Sequence, residues 1–148
     1  MRISAIASLA LVALTAGVLA ASAAPASSGA VVSWRPTSIG NAITTKGGHT
    51  LYLFRADHGT TSECYGSCAT YWPPLLTAGK PVASGRVKTA LLGTTKRKDG
   101  KLQVTYKGHP LYTYLADKKP AQTAGEGSTA FGAAWYALAP SGATIDRD

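Results

Sequence analysis

A ten-residue segment occurs twice in this chain, sixty positions apart: Gly48-His49-Thr50-Leu51-Tyr52-Leu53-Phe54-Arg55-Ala56-Asp57 and Gly108-His109-Pro110-Leu111-Tyr112-Thr113-Tyr114-Leu115-Ala116-Asp117. Six of the ten pairs are identical, Phe54 against Tyr114 is conservative, and Thr45 against Thr105 continues the same offset upstream. Such self-similarity at a fixed period marks a duplicated structural unit. The fold must therefore accommodate one unit built twice. Trp72-x-x-Leu75 and Trp135-x-x-Leu138 occupy corresponding places after the two segments. The intervening stretches differ, fourteen residues after Asp57 and seventeen after Asp117. Copy-specific variation is thus concentrated in one loop, which holds Cys64 and Cys68 in the first copy and Gly125-Glu126-Gly127-Ser128 in the second.

Residues 1–23 read as an export signal. Arg2 supplies a positive start, Ile3 to Ala20 carries no charge, and Ala21-Ser22-Ala23 is a small-x-small cleavage site. About 125 residues then remain, enough for one domain that buries roughly two-thirds of its unfolded surface. No cysteine follows the apolar run, so the expectation is a secreted, extracytoplasmic protein that is not lipid-anchored and has no transmembrane segment after cleavage. The whole chain has a formal net charge of +8, to which the leader contributes only Arg2. Outside the cell that charge favours anionic cell-envelope components as partners, although it also serves solubility. No recognition motif points to nucleic acid.

Residues 24–29 are small and polar, and read as a flexible leader. The first β repeat is expected over 30–79, with strands around Val31 to Trp34, Ser38 to Thr45 and Leu51 to Phe54. Tyr71 to Leu76 is expected to close that copy. Gly79 to Gly85 contains Lys80-Pro81, and residues 80–85 read as a linker. The second repeat, 86–142, is expected to pair Arg86 to Leu92 with Lys101 to Tyr106 through Asp99-Gly100. It continues through Leu111 to Leu115 and closes on Trp135 to Ala139. Residues 143–148 remain as a C-terminal tail. No run shows helical periodicity with caps. The fold class is therefore all-β: two tandem antiparallel β repeats packed about a pseudo-twofold axis as one domain, because half the chain alone would have a thin core.

In a strand, residues two apart share a face, so Tyr52 with Phe54 and Tyr112 with Tyr114 present paired aromatic rings. Leu51 and Leu53 face the other way, as suits a strand buried on both sides. Asp57 and Asp117 each follow their strand by a few residues, where a carboxylate can accept backbone N–H bonds and hold a turn. At these residues the chain resembles a family of bacterial secreted repeats and predicted lipoproteins of unknown function. The shared pattern is Y-x-[FWY]-x-x-D, met by Tyr52-Phe54-Asp57 and Tyr112-Tyr114-Asp117. The run from Cys64 through Trp72-Pro73-Pro74-Leu75 is also similar, as are Val104 to Tyr112 and Trp135-Tyr136. The resemblance implies a cell-envelope or secreted protein without implying a reaction.

Paired carboxylates can drive hydrolysis, but the flanks Asp57-His58-Gly59 and Asp117-Lys118-Lys119 differ and match no catalytic motif. No G-x-S-x-G elbow is present, and no partner is set for His49, His58 or His109. The expectation is a non-enzymatic structural or binding protein with no cofactor. Two alternatives remain open. Cys64 and Cys68, in C-x3-C spacing, form a disulfide in an oxidising compartment, or with His58 they offer a soft site for copper or redox chemistry. Tyr65 and Tyr71, flanking that loop, are candidates for surface binding of cell-wall polysaccharide or polyanion.

Overall fold

The computed structural model describes residues 17–24 and 28–146. The start of the expected export signal, part of the expected leader and the last two residues lie outside this set. Residues 17–24 are exposed and in no regular secondary structure, and among the described residues no helix is long and apolar enough to cross a membrane. The regular elements are mostly strands: β1 (Val31–Thr37), β2 (Gly40–Thr45), β3 (Tyr52–Phe54), β4 (Val82–Ala83), β5 (Leu92–Lys96), β6 (Leu102–Tyr106), β7 (His109–Pro110) and β8 (Trp135–Ala137). One short helix, α1 (Ser67–Tyr71), lies in the cysteine loop.

Each copy begins with an antiparallel hairpin, β1–β2 in the first and β5–β6 in the second. The β5–β6 turn contains Asp99-Gly100, where Gly100 adopts φ 84° and Asp99 Oδ1 accepts the Lys101 N–H. Its first strand starts six residues later than the sequence suggests: Thr89–Leu91 is a 3-10 turn. The next turn differs between copies by one residue. Lys107 and Gly108 both have positive φ, as a two-residue hairpin turn demands, whereas the first copy uses a longer turn in which the Thr45 N–H bonds the His49 carbonyl. Thr44 pairs with Thr50 as Thr105 pairs with Pro110, so Thr44 rather than Thr45 is the counterpart of Thr105.

The ends of the copies are exchanged. Strand β3 of the first copy pairs with β8 of the second, Phe54 opposite Trp135 and Tyr52 opposite Ala137. Reciprocally, Leu75 N–H bonds the Leu111 carbonyl, Thr113 N–H that of Pro73, and Leu115 N–H that of Tyr71. The closing segments expected from sequence are present, but each completes the other copy. At the centre Tyr52 and Tyr112 exchange two backbone hydrogen bonds, 2.8 and 3.0 Å, where the pseudo-twofold axis passes. Local pattern could not reveal this, because a strand's apolar alternation is the same whichever copy supplies its partner.

Two boundaries also change role. Val82 and Ala83, within the expected linker, pair parallel with Val31 and Val32 as β4. In the expected tail, Thr144 bridges Leu138 and the Ile145 N–H bonds the Ala137 carbonyl.

Alternation along β3 divides the interior into two clusters. Leu51 and Leu53 point into one with Val32, Ile43, Val104, Tyr106, Leu111 and Leu138. Tyr52 and Phe54 point into the other with Cys64, Cys68, Trp72, Tyr112 and Trp135. Tyr52, Leu53 and Phe54 are all buried, as a central strand requires, while Thr113, the counterpart of Leu53, is half-buried.

Candidate functional site

The second cluster is organised as a column of stacked rings. Phe54 lies on Trp135 at 4.0 Å, Trp135 on Trp72 at 3.9 Å, and Trp72 on Tyr114 at 4.1 Å. The rings come alternately from the first and second copies. Tyr52 meets Trp72 edge-on at 5.4 Å and Tyr112 meets Trp135 edge-on at 5.2 Å, completing the symmetry. Offset stacks and edge contacts each add about 0.5–1.5 kcal/mol beyond burial.

The tyrosine hydroxyls connect the copies again. Tyr52 donates to Asp117 Oδ2 at 2.6 Å, and Tyr112 donates to Asp57 Oδ2 at 2.9 Å. The second carboxylate oxygens hold their own loops: Asp57 Oδ1 accepts the Glu63 N–H and Asp117 Oδ1 the Ala124 N–H, each at 2.8 Å. The motif tyrosine and aspartate therefore bond across copies, in addition to the backbone role expected for the carboxylates. Burial pushes the Asp57 carboxyl up to about 6, against the opposing pull of the Glu63 N–H and the Tyr112 hydroxyl. Asp117 is raised by the same cause, and burial also raises both phenols.

Around Asp57 the sequence reading missed a buried polar cluster. Tyr112 Oη is 2.7 Å from Ser62 Oγ, and the Arg97 guanidinium donates to Ser62 Oγ, Gln103 Oε1 and the Cys64 carbonyl at 2.7–2.9 Å. Gln103 in turn donates to the Leu111 carbonyl. Arg97 sits in the basic run Lys96-Arg97-Lys98, which looks like a solvated turn from sequence, yet it is buried. Its only sequence cue is that it stands next to a hairpin turn, where one of three cations can point inward.

Cys64 and Cys68 are joined by a disulfide, both sulfurs being buried. Their sulfurs are therefore bonded to each other rather than offered as a pair of thiolates, and His58 is exposed. Among the described residues no group of three or more His, Cys, Asp and Glu is placed to hold a metal ion. His49 and His109 are half-buried; burial, then Arg55 and Lys107, lower the His109 pKa.

Of the two candidate surface tyrosines, Tyr65 is covered by the Arg97 guanidinium at 4.3 Å, and its hydroxyl accepts the Lys98 N–H. Tyr71 is 52% exposed. It faces Phe131 at 6.0 Å across an open groove of about 230 Å³ that is also lined by Trp72, Tyr114 and Ala130. An adjoining depression is lined by Tyr71, Tyr114, Leu115, Ala116 and Lys118. Phe131 is 46% exposed and has φ 63°, ψ 27°, a left-handed backbone unusual for a bulky residue. The Trp135 indole N–H bonds the Ala130 carbonyl at 2.8 Å and fixes this turn from inside. In the sequence, the signal for this turn is the Ala130-Phe131-Gly132 run, an aromatic in a small-residue loop.

The fold and its crossed contacts define an intertwined two-repeat β protein with a central aromatic column that opens into a surface groove. The chain belongs to the family described as the secreted repeat of unknown function, whose model matches residues 35–76 and 93–139. Each match includes the closing segment that its copy lends to the other. No curated protein and no solved structure is found to match the chain.

Proposed function

We infer that this secreted repeat protein is a non-enzymatic binding protein of the cell envelope, and that the Tyr71–Tyr114–Phe131 groove takes the ring faces of cell-wall polysaccharide. The observation that carries the reading is Phe131. A bulky ring held in a left-handed turn costs on the order of 1–3 kcal/mol, and such strain clusters at ligand clamps. Half-exposed, its ring gains little from burial in return. Tyr71 and Phe131 form the walls, Tyr114 continues the internal stack to the groove, and Lys118 in the adjoining depression supplies positive charge for acidic substituents. Asp57 and Asp117, the paired carboxylates, are engaged with tyrosine hydroxyls and backbone N–H groups. That engagement supports a structural role over acid–base catalysis.

Retention on purified cell-wall polysaccharide tests the reading with Phe131→Gly. Glycine tolerates positive φ, so the variant is expected to keep or raise the melting temperature while losing about tenfold in affinity, equivalent to about 1.4 kcal/mol. Retention that persists at high salt assigns the contact to the rings. Unchanged retention of Phe131→Gly and Tyr71→Ala at both salts overturns the groove.

A further inference from the structure

The two hairpins differ in what lies along their outer edges. In the first copy, β4 runs parallel to β1, with the Val82 N–H on the Ala30 carbonyl and the Ser84 N–H on the Val32 carbonyl. The connector continues along that edge, where Arg86 stacks over Trp34 at 4.1 Å. In the second copy, β5 is the counterpart of β1, Leu92 standing for Val32 and Thr94 for Trp34 by their pairing with β6 and β2. Strand β5 pairs with β6 on one side and, among the described residues, with no strand on the other. The end of the second copy does not cover it, because that segment folds back onto β8.

The outward groups can be assigned from the ladder. The Leu91 carbonyl accepts the Lys107 N–H and the Arg97 N–H bonds the Lys101 carbonyl, so the odd positions face β6. The carbonyl of Leu92 and both backbone groups of Thr94 point away from it, as does the Lys96 N–H. Alongside lies a groove of about 310 Å³ walled by Lys80 and Pro81 on the connector and by Leu92 and Thr94 on the strand. Leu102 is shared with a neighbouring depression that includes Lys101. Lys80, Lys96 and Lys101 are exposed around the edge, and Asp99 stands at the hairpin tip.

We propose that the β5 edge is a docking site for an extended acidic peptide segment of a partner protein, added parallel to β5 as β4 is added to β1. The internal repeat shows the geometry: the same hairpin edge, in the same chain, receives a parallel strand. Main-chain hydrogen bonds supply affinity in such strand addition and flanking side chains supply selectivity. The lysines select acidic residues and discourage pairing with a second basic copy of this chain. The site shares no residue with the aromatic groove, so either can fail alone.

The test is amide hydrogen exchange on the whole protein, titrated with a capped peptide of alternating valine and glutamate and, separately, with its valine–lysine counterpart. In the free protein the Thr94 and Lys96 amides are expected to exchange fast and those of Gly93 and Thr95 slowly. The glutamate peptide should slow Thr94 and Lys96 at least tenfold. Thr94→Pro removes an outward donor that an edge strand can spare and should abolish the effect, with near-ultraviolet circular dichroism reporting on the fold. Lys96→Glu keeps the backbone edge and should shift preference to the lysine peptide. The proposal is overturned if millimolar glutamate peptide gives no protection, or if these amides are already protected in the free monomer. Protection that grows with protein concentration alone also overturns it, and assigns the edge to self-association.

Discussion

At one end of the aromatic column Asp57 accepts the Tyr112 hydroxyl beside Ser62, Arg97 and a disulfide. At the other end, Asp117 accepts the Tyr52 hydroxyl beside a loop without sulfur. The cross-copy pair is the same, but its surroundings are not. Where the first end has Cys64, the second has Gly125, whose N–H is 3.3 Å from the Tyr52 hydroxyl; a Cβ there would come within 2.7 Å of the Trp72 ring. The second loop is instead held by contacts, with Glu126 Oε2 accepting the Ala137 N–H at 2.6 Å. Duplication preserved the cross-copy pair, and each copy added its own loop. The crossed Tyr–Asp pair and the stacked tryptophans hold the halves together, and loop chemistry individualises them.

The largest expected effect breaks the common part. Trp135→Ala removes a ring stacked between Phe54 and Trp72 and should cost about 3–5 kcal/mol. Because the ring belongs to one copy and its stacking partners to the other, unfolding should remain a single transition by fluorescence and circular dichroism. Two separated transitions would break the picture of interlocked halves. A smaller loss is expected from the individual part. Replacing Cys64 and Cys68 together by serine should cost about 2 kcal/mol by chain entropy. Faster amide exchange should then be concentrated in residues 58–72 and spare 118–134; equal loosening of both loops would show the ends to be coupled.

The smallest effect is the pH dependence of one carboxylate. Folding raises the Asp57 pKa from 3.8 to about 6, so the native state holds this proton more tightly than the unfolded chain. Its contribution to stability is present below the unfolded value and is lost as pH rises through about 6. Asp57→Asn keeps an acceptor for the Glu63 N–H and should flatten the decline in melting temperature between pH 4 and pH 6. Asp117 retains a slope of the same sign in that variant, and His109, with its lowered pKa, contributes one of opposite sign. An unchanged difference between wild type and variant across that range would remove Asp57 from the account.

Much of the architecture could be read from spacing. The duplication, the β character, the buried two-faced β3 and the Trp-x-x-Leu segments follow from residues whose periodicity depends on local backbone geometry. The start of β5 was displaced because Val87, Ala90, Leu91 and Leu92 look strand-like by composition, whereas Thr89–Leu91 turns as a 3-10 segment. The linker and the tail became paired because hydrogen bonding depends on which edges lie nearby, a tertiary property. The candidate site was less legible. Loop position points to Tyr71, but Phe131 and Leu115 come from the second copy and meet it only through exchange. By sequence Arg97 is one cation among three in Lys96-Arg97-Lys98, and only packing buries it.

The amino-acid sequence by itself determined that one strand-rich unit would be built twice, with aromatic residues and an aspartate at matching places. Tertiary structure decided which copy each aromatic and carboxylate would serve. The reason is physical: alternation fixes the faces of a strand, while its partner is fixed by the packing that buries both copies best. Here that packing places Trp72 between Trp135 and Tyr114, and sets each motif tyrosine against the other copy's aspartate.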